Sequence, residues 1–489
     1  MNKENIIIIV IILMIVSLFI FSGGTSDSKI RKNLQKQKEK AMHPRADRSL
    51  LRTEPRQGDL ILGKQGEKYV CWDTQKDAHC LVIGGSGSGK SSSLVLPFLL
   101  NNPDTPVLAV DIKGELVRKG RYIDDPRICI FSPQNHNNYG FDVFYGLTKN
   151  SSQQEILETM QLVTFSLIPL GNTKDSYWAI SARNMLTGLL IYYYNCGRHN
   201  IISIIDCIVG APINDQIEEI MNTAEPCSNE YKYLTQFSGM ADETIMSVYS
   251  NMAICLSSFS DLNIRWAFGD AEKKVSPLTL EEKKSIFLCI PEHKLTAWSG
   301  QLALIINLTL DALSKRPENS HKMVIVLDEL GRIVSSGTAG LDGLIDASMT
   351  LRSRKVTLFL VIQQIESLYT GFSEHKVTTL IGNCNIKIIL DASSSKTQRT
   401  VCSEWVPKYI QRKQSKSSGG RNNSNNYSFT ESDTLTPADL MSLVKNNEEV
   451  VITPLGYMMI KKCPYFKDKY LKPKAEKIKN QNERNKNYD

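Results

Sequence analysis

The chain has 489 residues, 42% of them hydrophobic and 22% charged, which is enough for two or three domains with a large core and unlike a mostly disordered or collagen-like chain. Its net charge of +7 is unevenly placed: residues 29–56 carry a net of +7, residues 461–489 a net of +6, and the remainder is mildly acidic at −6. The eleven cysteines include no C-x-x-C spacing and the seven histidines no H-x-x-x-H pair, the pattern of reduced thiols in a cytosolic compartment and not of a disulfide framework or a zinc site.

Near the N-terminus, Ile6–Phe21 reads IIIIVIILMIVSLFIF, and with Ser22, Gly23 and Gly24 it gives nineteen residues, the length of a membrane-spanning helix. A secretory signal peptide is the competing reading, but the run is long for one and no A-x-A site follows. Only Lys3 precedes it, whereas Lys29, Arg31, Lys32, Lys36, Lys38 and Lys40 follow, so the N-terminus is expected outside and everything after residue 28 in the cytoplasm. This predicts a single-pass anchor over 6–24 in the cell (inner) membrane, followed by a basic juxtamembrane linker over 29–56 that contains Pro44 and Pro55. Such a linker acts as a stop-transfer flank and can also meet anionic headgroups.

From residue 57 the text becomes globular. Short apolar strands are predicted at Leu60–Leu62, Cys80–Ile83, Val107–Val110 and Cys129–Phe131, set apart by Gly, Pro and Asp turns. Residues 153–270 change to helical periodicity over Ile156–Ile168, Ser181–Tyr194, Ile213–Thr223 and Thr244–Phe259. Strands return at Ser285–Ile290, Val324–Leu327, Val356–Ile362 and Ile386–Leu390. The expected organisation is an α/β nucleotide-binding domain over 57–152 and 271–465 with an all-α domain inserted at 153–270. Residues 411–433, poor in apolar side chains and rich in Ser, Asn and Gly, read as a mobile loop; residues 466–489 read as a basic, solvated tail.

Gly84-Gly85-Ser86-Gly87-Ser88-Gly89-Lys90-Ser91 fits G-x-x-x-x-G-K-[ST] between a strand and a helix, with Ser92 next in line. Glycines let successive backbone amides turn inward around a phosphate, and the helix N-terminus adds positive potential. Lys90 is assigned to the β/γ-phosphates of ATP and the Ser91 hydroxyl to Mg²⁺. The partner motif is Met323–Glu329, an apolar strand ending in two carboxylates: Asp328 to hold Mg²⁺ and Glu329 to polarise the attacking water. Val356–Ile362 ends at Gln363, a position suited to sensing the γ-phosphate. Arg352 and Arg354, just before that strand, read either as solvated charges or, for Arg352, as an arginine finger reaching a neighbouring subunit's phosphate.

At this point the chain resembles the type IV secretion coupling proteins, the TraG/TraD-like ATPases of conjugation, relatives of the FtsK and HerA motors. The resemblance spans residues 57–470 and rests on an ordered series: the P-loop followed by Pro97; Val110-Asp111-Ile112-Lys113-Gly114-Glu115; Phe131-Ser132-Pro133; and Tyr177-Trp178 ahead of Ala182-Arg183. It continues through Leu256–Phe259, Ile290-Pro291, Leu327–Leu330, Arg352, Val361-Ile362-Gln363 and Leu435–Leu440. It implies a RecA-like P-loop NTPase in the inner membrane, hexameric, that brings a relaxase–DNA complex (single-stranded DNA) or effector proteins to the components of a secretion channel. By position it also implies that Arg352 is the trans-acting arginine. The chain departs from the family in showing one span instead of two, Ser367-Leu368 where a Gln-Leu pair is common, and Asp433-Thr434 where an arginine is common. Other readings are an ATP-switched receptor without motor activity, a carrier of effector proteins alone, and a chromosome-type DNA translocase, which the helical stretch over 150–280 disfavours.

Overall fold

The computed structural model describes residues 44–170, 176–335, 340–417 and 424–484; the apolar run at 6–24 lies outside them. Among the described residues no helix is long and apolar enough to cross a membrane. The chain divides into two units, one of Arg45–Gln398 with Leu440 onward, the other containing Arg399–Asp439.

In the larger unit seven strands run parallel, in the order Ile386–Ile389, Cys80–Ile83, Val356–Ile362, Met323–Leu327, Val107–Val110, Ser285–Leu288, Ile128–Phe131. These segments are nearly unbroken runs of Val, Ile and Leu because helices cover both faces of a parallel sheet and alternation would bury polar groups. Alternate residues Cys80, Val82, Ala109, Val326, Phe359 and Val361 pack under the helix that follows the P-loop, against Leu94, Val95, Phe98 and Leu99. Each such side chain, fully buried, contributes about 1.5–3 kcal/mol.

Beyond Ile386–Ile389 the sheet continues antiparallel through Glu448–Thr453, Gly456–Lys461, Asp59–Gln65, Lys68–Asp73 and Leu51–Arg52. The predicted linker is therefore corrected at its end: Ala46 and Leu50 are core residues, and Leu51 and Arg52 pair with Val70 and Tyr69. Leu50 and Leu51 suffice, in a basic stretch, to bury one side chain and add a short edge strand.

Between Phe141 and Lys274 the described residues form helices joined by turns. Gln153–Leu167 opens with a capping box in which Ser152 and Glu155 satisfy each other's backbone amides, and Ile156, Met160, Val163 and Leu167 lie buried at helical spacing. Tyr177–Asn195, Ile201–Gly210, Ile213–Thr223 and Asp242–Leu256 follow. Gly140–Phe141 pairs with Lys274–Val275, so the chain leaves and returns side by side.

The basic tail is also corrected. Leu471–Arg484 is a helix whose Leu471 and Ala475, with Ile478 and Tyr470 beside them, close over Ile61, Tyr69, Cys71 and Leu100. Its far end is fixed by Asn482, which donates to the Arg118 and Arg121 carbonyls and accepts from the Ile123 amide. The lysines occupy the outer face of an amphipathic helix, which charge counting alone reads as a tail.

In the smaller unit, Tyr409–Ser417 and Ser424–Ser432 pair antiparallel from Tyr409↔Ser432 to Ser417↔Ser424. Composition reads this stretch as a mobile loop; strand pairing is made by backbone groups and needs no apolar side chain.

Candidate functional site

The P-loop leaves Cys80–Ile83 at the carboxyl end of the parallel sheet, flanked by strands on both sides. Gly87 and Gly89 adopt φ of +76° and +97°, conformations open to glycine and strained for other residues. A Cβ on Gly84 would run into the Ser88 side chain and stand 3.0 Å from the Leu390 Cβ, so this position needs bare backbone, whereas one on Gly85 would meet only the movable end of the Asp391 side chain, at 2.9 Å. The helix after the loop starts with a wide π turn over Ser91–Val95 before continuing as α-helix over Leu96–Asn101.

Lys90 is buried, and its ammonium donates to the Gly84 carbonyl at 2.9 Å and the Gly85 carbonyl at 3.1 Å, with Glu329 Oε1 at 3.8 Å. The Ser91 hydroxyl donates to Asp328 Oδ2 at 3.5 Å. Asp328 and Glu329 end the strand Met323–Leu327. Glu329 has φ +58°, a left-handed conformation that costs a non-glycine residue about 1–2 kcal/mol and turns its side chain back towards the loop. Gln363, exposed at the end of Val356–Ile362, donates from Nε2 to Glu329 Oε2 at 2.9 Å. Lys90, Ser91, Asp328, Glu329 and Gln363 thus form one connected group across three neighbouring strand ends.

Burial pushes the Asp328 carboxyl up to about 6, with Glu329 and then Asp111 adding to the rise against the pull of Lys90. Asp111 is likewise raised to about 6 by burial, despite accepting from the Val117 amide at 3.0 Å. Its carboxylate thereby reaches the first turn of the short helix Glu115–Gly120, whose N-cap is Gly114.

The group fits a nucleotide's phosphate chain with a divalent cation. Asp328 Oδ1 is buried with no hydrogen-bond partner, Asp328 Oδ2 and the Ser91 hydroxyl are only 3.5 Å apart, and the glycines leave open the space a cradle requires. Lys90, Ser91 and Asp328 are the residues that would hold the phosphates and Mg²⁺.

Arg352 does not join this group. It is exposed at the opposite end of the sheet, before a seven-residue strand that spans about 20 Å at ~3.3 Å per residue. Its charge is felt there by His79, just ahead of Cys80–Ile83.

Sequence reading missed Lys462 and Asp391. The Lys462 ammonium is buried and donates to the Ser88 carbonyl at 3.0 Å and the Leu390 carbonyl at 3.1 Å. Lys462 falls at the edge of the nucleotide-binding domain as read from the sequence, within the basic stretch from 461, which gave it no role; its place directly after an apolar strand was the available signal.

Solved structures share this fold. The conjugative coupling protein TrwBΔN70, in its unbound monoclinic form, superposes with a TM-score of 0.65 at 15% identity, covering 84% of this chain and 90% of that one. TrwB in complex with the non-hydrolysable ATP analogue ADPNP gives 0.66 at 15% identity, with the same coverages of 84% and 90%. VirB4 of Thermoanaerobacter pseudethanolicus gives 0.53 at 15%, covering 84% of this chain and 98% of that one. No curated protein matches. Residues 25–487 match the description type IV secretory system conjugative DNA transfer, and with nearly the whole sequence inside that match the chain belongs to this family.

Proposed function

We propose that this protein is a membrane-anchored ATPase that couples a relaxase–DNA complex or an effector protein to a type IV secretion channel, acting as a ring of six identical copies. The observation that carries the reading is the connected group of Lys90, Ser91, Asp328, Glu329 and Gln363 at adjacent strand ends. A relative of the same fold, TrwB, is known in complex with ADP and Mg²⁺ and with ADPNP, which supports ATP and Mg²⁺ as the ligands here. The anchor rests on the apolar run 6–24 and its basic flank.

Each residue then has a task. On binding ATP, the Lys90 ammonium exchanges the Gly84 and Gly85 carbonyls for β- and γ-phosphate oxygens. Ser91 and Asp328 would hold Mg²⁺, which would supply neutralisation of charge at those oxygens. Glu329 polarises a water for in-line attack, and the Gln363 amide fixes the orientation of the Glu329 carboxylate. Arg352, at the far end of the sheet, serves the site of a neighbouring copy, which makes turnover depend on the ring.

The test is steady-state ATPase activity of the full chain in lipid, with Glu329→Gln as control, alone and with single-stranded or duplex DNA, across salt and protein concentration. Turnover that rises with concentration and is stimulated several-fold by DNA is expected. Turnover indifferent to DNA would move the substrate to effector proteins, and none under any condition would leave an ATP-switched receptor.

A further inference from the structure

We infer that Lys462 is a positioning residue of the phosphate-binding loop, holding the Ser88–Gly89 peptide so that the Gly89 amide faces the nucleotide's phosphates. The inference rests on the reading of Gly84–Ser91 as a nucleotide site.

Ser88 lies between Gly87 and Gly89, whose φ values of +76° and +97° belong to residues with the widest backbone freedom. A peptide between two such residues turns over easily, and its two faces are not equivalent for an anion: one presents an N–H, the other a carbonyl oxygen. In a trans peptide the carbonyl and the following N–H point in opposite directions. Lys462 holds the Ser88 carbonyl from beneath the loop at 3.0 Å, which directs the Gly89 N–H to the other side, into the cradle. The Ser88 hydroxyl is buried without a partner and gives the peptide no anchor of its own.

Lys462 is built to stay in place. Its second bond goes to the Leu390 carbonyl at 3.1 Å, at the end of the strand next to the P-loop strand. Its own amide donates to the Asn447 carbonyl, and three residues on the Tyr465 amide donates to the Ser92 carbonyl at 3.0 Å. The segment 462–465 therefore grips the loop at Ser88 and the following helix at Ser92. Glu449, an electrostatic neighbour of the ammonium, is fully buried with neither carboxyl oxygen hydrogen-bonded, and burial pushes its pKa well above the usual carboxylate range. Asp391, whose carboxylate lies beside Gly85, adds negative potential at the ammonium. Thus a strand remote in sequence from the P-loop supplies a cation that touches the loop's backbone, whereas Lys90 is the cation assigned to phosphate.

The test is ADP and ATP binding by the full chain in lipid, measured for Lys462→Met and Lys462→Arg, together with the KM and kcat of ATP hydrolysis. Loss of one charge-assisted hydrogen bond to the loop weakens ADP binding and raises the KM for ATP about tenfold to a hundredfold in Lys462→Met. Lys462→Arg, which keeps donors for both carbonyls, recovers a large part of that loss; a merely structural role would not give this recovery. If Lys462→Met strands the Glu449 carboxylate and fails to fold, Glu449→Leu/Lys462→Met replaces the pair by apolar side chains and is expected to show the same weakened binding. A folded variant of either kind that binds ADP within about twofold of wild type overturns this inference alone. A wild-type chain that binds neither ADP nor ATP overturns the nucleotide reading and this inference with it.

Discussion

The Gln363 side-chain amide donates to Glu329 Oε2 at 2.9 Å while Glu329 Oε1 stands 3.8 Å from the Lys90 ammonium. The carboxylate is therefore held at both oxygens by groups from two other strands, and its left-handed backbone keeps it aimed at the loop. Glu329→Gln keeps the shape and removes the base. Hydrolysis should fall about a hundredfold or more while ATP remains bound, read by single-turnover assay and by nucleotide retained on the purified protein.

Lys90→Ala removes the buried ammonium itself. Turnover is expected to drop at least about a hundredfold and ATP binding with it, measured by steady-state kinetics and a fluorescent ATP analogue. Wild-type turnover would remove the P-loop from the site.

Arg352 lies at the end of the sheet away from the P-loop, so its replacement discriminates between subunits. Arg352→Ala should lower turnover about a thousandfold with ATP affinity unchanged. Mixing it with Glu329→Gln should restore part of the activity, because a mixed ring brings an intact Glu329 next to an intact Arg352. No recovery on mixing, or a loss of ATP binding, would assign Arg352 a role within its own chain.

His79 is buried at the other end of the P-loop strand, where its Nδ1 accepts from the Leu358 amide. Burial lowers its pKa to about 4 from 6.5, with Arg352 and Lys322 assisting. Between pH 6.5 and 4 the unfolded chain binds more protons at this residue than the folded one. Stability is therefore lost as pH falls through that window, by on the order of 3 kcal/mol when complete. Chemical denaturation across the window should show this contribution as the difference between wild type and His79→Asn, because Asp111 and Asp328, raised to about 6, act in the opposite sense in both proteins.

Leu471 anchors the C-terminal helix on the sheet extension and is fully buried. Leu471→Ala should cost about 2–4 kcal/mol in unfolding free energy. An unchanged denaturation midpoint would mean that the helix contributes nothing to the stability of the body.

The parallel strands were legible because burial on both faces leaves uninterrupted apolar text; Cys80–Ile83, Val107–Val110 and Met323–Leu327 carry it without a break. The P-loop was legible because its geometry restricts residue types at fixed spacing. Other features were hidden for physical reasons. Lys462 is spelled like any surface lysine, and only the folded chain shows its ammonium under the loop. The helix Leu471–Arg484 has a narrow apolar stripe that its lysines outnumber. The strands Tyr409–Ser417 and Ser424–Ser432 are held by backbone pairing, which leaves little mark on composition.

The pairing of Gly140 with Lys274 brings the two stems of the helical insertion to neighbouring strands, about 5 Å apart. A cassette with its entry and exit clasped in this way transmits changes in its own length poorly to the sheet that carries it. Helices can be lengthened, exchanged or added there without shifting the register of Ile128–Phe131 on Ser285–Leu288. The helical insertion and the sheet that carries the phosphate-binding loop are thereby free to diversify at different rates within a single polypeptide.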